Sequence, residues 1–201
     1  MIQRAAILLL LFAAGCAGPG PQDPPLEYNG EAFHAVDGVI AKLVLEDLLE
    51  QAEFHTYPSW KSKPKLAVAD TTEGLSHFIT TGQLLPELQD RPPVPMELYN
   101  QLKARNSRKI SLNPIDSPRV QMISRDQIPW GERGFGETLE GKFPEARAYV
   151  RMWLPAYSAE GTSALVRFAF SPTPHGACGT YFLERKKGSW TVLWRNFAYY
   201  A

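Results

Sequence analysis

The longest amphipathic stretch of the chain predicts a helix over residues 31–53. Its apolar residues recur at steps of three and four, as one face of an α-helix requires: Ala32, Phe33, Val36, Val39, Ile40, Leu43, Val44 and Leu48. A second helix is predicted over Met96–Asn106, preceded by Pro95, a residue that suits the first turn of a helix. Shorter helices are predicted within residues 74–82 and over Phe135–Phe143.

Alternation of apolar and polar residues predicts four strands in the last third of the chain. These are Arg147–Leu154, Ser163–Phe170, Cys178–Arg185 and Trp190–Tyr199. A tight hairpin turn is predicted at Lys187-Gly188-Ser189. On the last strand, a period of two places Trp190, Val192 and Trp194 on one face. Short strands are predicted at Leu66–Ala69, Ile110–Leu112 and Val120–Ile123.

These elements predict an α+β fold, in which helices from the N-terminal half cover a four-stranded antiparallel C-terminal meander. The length fits one domain over residues 31–201, with a helical part at 31–108 and a β-rich part at 109–201.

The N-terminus predicts a secretory signal peptide over residues 1–15. Arg4 precedes an unbroken apolar run from Ala5 to Ala14, and the small residue Gly15 follows at the expected cut site. An apolar run of about 10 residues spans about 15 Å as a helix, whereas the hydrocarbon core of a bilayer is about 30 Å thick. The run is therefore too short for a transmembrane anchor.

Ala13-Ala14-Gly15-Cys16 resembles the lipobox of bacterial lipoproteins, with Ala13 where leucine is usual. The resemblance implies that the Cys16 thiol receives a diacylglyceryl group, that the chain is cut before Cys16, and that the new amino group is acylated. It implies a lipid-anchored protein of the cell envelope. Ala17 in the next position resembles the default for sorting to the outer membrane, facing the periplasm. Two alternatives stay open, namely plain secretion and a cytosolic protein with a chance apolar start.

Residues 16–30 are rich in proline and glycine and predict an extended tether behind the lipid. At about 3.1 Å per residue the tether reaches on the order of 40 Å. The formal net charge of the whole chain is zero, which removes a long-range attraction to nucleic acid. If Cys16 is lipidated, Cys178 is the one cysteine left, whereas an unmodified Cys16 makes a disulfide with Cys178 conceivable.

Catalytic and metal chemistry find little support in the sequence. His175 and Cys178 are three residues apart, which sends them to opposite faces of an extended strand, and no carboxylate lies nearby in sequence to orient the imidazole. The four histidines, His34, His55, His77 and His175, lack the close pairing typical of zinc sites. No metal or cofactor is expected.

The acidic candidates also favour structural roles. Asp70 follows a predicted strand and is expected to cap the next helix. Glu132, Glu137 and Glu140 could supply a carboxylate pair of the glycosidase type, but glutamates beside a helix are usually solvated.

Two further groups of residues have a structural and a binding interpretation. The basic clusters Lys61, Lys63, Lys65 and Lys103, Arg105, Arg108, Lys109 are expected to be mostly solvated, with anionic head groups as a secondary partner. The aromatic residues Tyr149, Trp153, Trp190, Trp194, Phe197, Tyr199 and Tyr200 favour a sheet covered on both faces. The alternative is an aromatic platform for a glycan or a partner protein.

The segments Ala164–Phe168 and Gly176–Val192, with a Gly-x-Tyr strand and a Lys-Gly-Ser-Trp hairpin, are similar to uncharacterised bacterial β-rich domains over roughly residues 120–201. That resemblance implies a fold and no reaction. The sequence thus favours a non-enzymatic lipoprotein that binds or supports an envelope component. Its expected partners are membrane lipid through acylated Cys16 and an envelope protein or glycan. The alternative is an envelope hydrolase, which a pocket joining His175 to Asp70 or to a glutamate would favour.

Overall fold

The protein folds around a mixed β-sheet flanked by helices, an α+β architecture. The computed structural model describes residues 32–51, 63–74, 94–127, 135–171 and 176–200. Its described helices are α1 (Ala35–Glu50), α2 (Met96–Arg105) and α3 (Phe135–Lys142). Its strands are β1 (Lys65–Ala69), β2 (Val120–Ile123), β3 (Ala146–Met152), β4 (Ala156–Tyr157), β5 (Ser163–Ser171), β6 (Gly176–Lys186) and β7 (Ser189–Tyr200).

The sheet has seven strands in the order β2-β1-β3-β5-β6-β7, with β4 paired to β5. Strand β1 runs parallel to both β2 and β3, and the other pairs are antiparallel. The predicted four-stranded meander is therefore too small, since β1 and β2 extend the sheet beyond β3 and β4 adds a short strand. Parallel partners need long crossover connections, so the short apolar runs of β1 and β2 give no local sign of their pairing.

The helices lie on both faces of the sheet. On the first face, α1 packs Ile40, Val44 and Leu48 against alternate sheet residues such as Val150 and Val166. We call this the α1 face. On the opposite face, α2 packs over Leu165 and Phe182, and α3 packs over Ala67 and Tyr149. The predicted cover by helices of the N-terminal half is thus incomplete, because α3 comes from the C-terminal half and the strands are buried on both sides.

A β-bulge in β7 moves one tryptophan to the opposite face. Phe182 of β6 pairs with Trp194, but the next residue, Leu183, pairs with Val192, so Leu193 is an extra residue. Trp190 and Val192 consequently pack on the α1 face. Trp194 packs on the opposite face, with Phe182 and the buried residues of α2. The prediction of a common face for these three side chains is wrong because a bulge breaks the period of two.

Two other predicted elements differ from the structure. The strand expected at Ile110–Leu112 is reduced to a single bridge between Ser111 and Thr71. The first helix starts at Ala35 rather than at residue 31, because the His34 backbone N–H donates to Asp37 Oδ2 at 2.8 Å and closes the first turn. The short helix expected within 74–82 falls outside the described residues, apart from Gly74.

Candidate functional site

The carboxyl ends of β1, β2 and β3 meet at one edge of the sheet because these three strands are parallel. The segment 70–74 leaves β1 and crosses the end of β3. There the Glu73 N–H donates to Met152 O at 2.9 Å, and the Trp153 indole N–H donates to Gly74 O at 3.3 Å. Open sheets with parallel strands bind ligands most often at such an edge.

A buried carboxylate organises this edge. Arg125, just after β2, donates from Nε to Glu73 Oε1 at 3.0 Å and from Nη2 to Glu73 Oε2 at 3.1 Å. On β3, Arg151 places Nη1 3.7 Å from the same Oε1 atom. The two-pronged contact fixes the orientation of Arg125 and joins the β1 and β2 loops. Two guanidinium groups thus share the Glu73 carboxylate.

One strand further on, Arg167 of β5 is buried, and no described residue is its counter-ion. Its side chain is 2% exposed, and its Nε and Nη1 atoms have no hydrogen-bond partner. No carboxylate within the described part of the chain forms an ion pair with it. Burying a charge costs several kcal/mol unless a partner compensates it. Arg167 is therefore the least satisfied charged group of the described sheet.

The neighbours of Arg167 are set by strand register. Thr180 lies opposite Arg167 on β6. On the other side, the backbone N–H of Trp153 donates to the backbone carbonyl of Arg167 at 3.1 Å. Trp153, Ala169 and Cys178 form an apolar cluster beside it. We call these five residues the Arg167 strip. The strip runs between the part of the face that α2 covers and the part that α3 covers.

A second buried polar network ties the α1 face to α2. Asp37 of α1 is fully buried and accepts from Arg105 Nη1 and Nη2 at 3.0 and 2.9 Å. The Tyr157 hydroxyl of β4 donates to Asp37 Oδ1 at 2.7 Å. Arg105 also donates to the carbonyl of Ala32 at 3.0 Å. These contacts satisfy the polar groups among one another and join three elements, which is a structural role.

Burial and the adjacent Asp37 carboxylate raise the pKa of Tyr157. The folded protein then keeps the phenol proton to a higher pH than the unfolded chain, which loses it near about pH 10. The contribution of this group to stability is thus complete below about pH 10 and falls by about 1.4 kcal/mol per pH unit above it. Urea titrations between about pH 9 and 11 are expected to show a steeper loss of stability in the native sequence than in Tyr157→Phe, by about 1.4 kcal/mol in total over this range. Equal slopes in both proteins would contradict the assignment.

The acidic residues singled out from the sequence have structural partners. Asp70 Oδ1 accepts the Arg125 N–H at 3.1 Å and caps the short 3₁₀ helix Arg125–Gln127. Glu140 is exposed, and a hydrogen bond and the charge of Lys63, 2.8 Å away, lower its pKa. Glu132 and the Glu137 side chain lie outside the described residues.

The basic clusters are only partly solvated. Lys63 and Lys65 pair with Glu140 and Glu145, whereas Lys61 lies outside the described residues. The expectation of a solvated face is wrong for Arg105, which is 2% exposed because it is the partner of Asp37.

The cysteine and histidine candidates do not come together at one site within the described residues. Cys178 is buried and forms no disulfide with any described residue. His55, His77 and His175 fall outside the described residues, and so does any pocket joining His175 to Asp70. Across the described ranges, no group of three or more histidine, cysteine or acidic residues could hold a metal ion.

The described aromatic side chains of the sheet lie within its two packed layers. Tyr149 and Trp153 are buried, Trp190 and Phe197 pack against the α1 core, and Trp194 packs 5.8 Å from the Phe182 ring. The side chains of Tyr199 and Tyr200 are not among those that the structure describes. The contacts of the five described aromatics favour the two-sided core over an aromatic platform.

Sequence reasoning missed Glu73, Arg125, Arg151 and Arg167. A signal was present for Arg167, since its same-face neighbours Leu165 and Ala169 are apolar and predict that this side of β5 is covered. A charge between two covered positions needs a partner, which marks it as unusual.

Residues 1–31, including Cys16, lie outside the described part of the chain. None of the described helices combines the length and the apolar character needed to cross a membrane. Comparison of the sequence with models of known protein families and with curated proteins finds no match, and comparison with solved structures finds none either.

Proposed function

We propose that this chain is a membrane-anchored bacterial lipoprotein whose folded domain is a binding component of the cell envelope. The observation that carries the proposal is the position of Cys16, directly after the small residues that end a short apolar signal segment. Three acyl chains on this residue would make the anchor effectively permanent, because each buried methylene contributes about 0.8 kcal/mol. The tether at residues 16–30 would hold the domain close to the outer membrane, facing the periplasm.

The arrangement of charges supports a binding role for the domain. Asp37, Arg105 and Tyr157 are engaged with one another, and Glu73 is engaged with Arg125. Arg167 is different, because its buried Nε and Nη1 donors have no hydrogen-bond partner among the described residues. An unused charged group beside an apolar wall suits recognition of a small molecule or of an exposed chemical group, without requiring a reaction.

The anchor is tested by the intact mass of the protein extracted from bacterial membranes. The native sequence is expected to begin at Cys16, to carry a tri-acyl mass increment, and to enter the detergent phase on phase separation. Cys16→Ser is expected to lose both the increment and the detergent partitioning. Cys178→Ser is the matched control and is expected to keep both. Native protein that is recovered from the aqueous phase, unmodified or starting beyond residue 16, would refute the anchor.

A further inference from the structure

We propose that the Arg167 strip binds a small organic carboxylate, with the charged end at Arg167 and an apolar body against Trp153. This inference rests on the binding role proposed above and names the ligand class, but it is independent of the lipid anchor. Its starting point is a guanidinium that is 2% exposed and whose Nε and Nη1 atoms have no partner.

The charge of the site selects an anion. Glu73, the buried carboxylate of the neighbouring loop, is already held by Arg125 through two hydrogen bonds, and Arg151 contacts it as well. Arg151 projects from the same sheet face as Arg167, since Arg151 pairs with Ala169, two residues along β5. A second guanidinium on the same face raises the local positive potential and favours an anion over a neutral ligand.

The side chains along the strip select a carboxylate on an apolar body. Planar carboxylates match the fork of N–H groups on a guanidinium. Thr180 stands across from Arg167 on β6 and adds a hydroxyl group to the charged end of the strip. Trp153, Ala169 and Cys178 form the apolar end. An inorganic oxyanion would satisfy the charge and leave this apolar end unused, so an organic acid fits both halves.

The test uses 4-fluorobenzoate as the probe and the full chain in phosphatidylcholine nanodiscs. Binding is followed by the broadening of the ¹⁹F signal of the probe. The native protein is expected to show saturable binding with a Kd of roughly 1 mM or below, as is usual for a ligand of this size. Unlabelled benzoate is expected to displace the probe, and the neutral isostere benzamide is expected to leave it bound. Inorganic phosphate is expected to compete at least about tenfold more weakly than benzoate.

Two substitutions separate the site from a general charge effect. Arg167→Met is expected to weaken binding of the probe by at least about tenfold, because it removes the charge while keeping a long side chain. Arg119→Gln is the matched control. Arg119 pairs with Glu50 at the surface, so its loss is expected to leave binding unchanged. Equal binding by native protein and Arg167→Met, displacement by benzamide as good as by benzoate, or absence of saturation would overturn the proposal.

A stability readout distinguishes a ligand-binding arginine from a structural one. The ligand-free Arg167→Met protein is expected to melt at a higher temperature than the native protein, since it no longer buries an uncompensated charge. A lower melting temperature would show that Arg167 holds the fold together and would overturn the proposal. Arg167→Lys, which keeps the charge but not the fork of N–H groups, is expected to bind the probe about three- to tenfold more weakly. Unchanged binding in Arg167→Lys would then count against a guanidinium–carboxylate contact.

Failure of the lipid anchor can be told apart from failure of carboxylate binding. A chain that fails to insert into nanodiscs is assayed in aqueous buffer, so loss of the lipid anchor and loss of carboxylate binding give different results.

Discussion

Asp37→Ala is expected to lower the free energy of unfolding by about 3–5 kcal/mol, because it leaves the Arg105 guanidinium buried without its carboxylate. Asp37 is fully buried and receives hydrogen bonds from both Arg105 and Tyr157. These bonds join α1 to α2 and β4, so their loss affects three elements at once. Urea denaturation followed by circular dichroism measures the change.

The control for this prediction is an ion pair at the surface. Glu50 lies 2.5 Å from Arg119 but is 67% exposed in its side chain, so Glu50→Ala is expected to cost at most about 1 kcal/mol. The double variant Asp37→Leu/Arg105→Met is expected to recover much of the stability that Asp37→Ala loses, because it removes both charges together. An Asp37→Ala cost no larger than that of Glu50→Ala would contradict the assignment.

The Asp37 network shows what a single sequence reveals and where it stops. Asp37 stands on the buried stripe of α1, three and four residues before Ile40 and Ala41. A carboxylate at such a position signals a buried partner. The partner, Arg105, is 68 positions away, and nothing local identifies it. Val39 was predicted as part of the apolar face, but it lies outside this buried stripe and is 57% exposed.

Strand positions were predictable because alternation is a local property. The predicted limits of β3, β5, β6 and β7 agree with the observed ones to within two residues. Pairing between distant strands was not predictable in the same way. Parallel pairing of β1 with β2 and β3 depends on the packing of long connections, and the bulge at Leu193 depends on how β7 curves against β6.

The candidate site was the least predictable part. Glu73, Arg125 and Arg151 come from three different elements that meet only because their strands are parallel. Arg167 could be noted as a charge within a strand whose two faces are both apolar. That it lacks a partner among the described residues is a property of the folded chain alone, since every acidic residue along the sequence was a conceivable counter-ion.

Gly179→Ala is expected to destabilise the domain by about 3 kcal/mol or more, because the position opposite Phe168 has no room for a side chain. Gly179 of β6 pairs directly with Phe168 of β5 on the α1 face. An added Cβ would overlap Cζ of the Phe168 ring and lie 2.7 Å from both Cε atoms. The ring cannot retreat easily, since it packs 5.5 Å from the Tyr181 ring and 6.0 Å from the Phe170 ring.

Three further variants make this prediction specific to the close approach of Phe168. Gly141→Ala introduces the same methyl group in α3 at a place with nothing within 4 Å, and it is expected to be neutral or to stabilise by up to about 1 kcal/mol. Phe168→Leu costs stability alone, but in combination with Gly179→Ala it is expected to cost at least about 1 kcal/mol less than the sum of the two single changes. Urea denaturation of the native protein, Gly179→Ala, Phe168→Leu and the double variant gives this coupling energy. Strict additivity would show that the aromatic ring is not the obstacle, and the cost of Gly179→Ala would then lie in the backbone of β6.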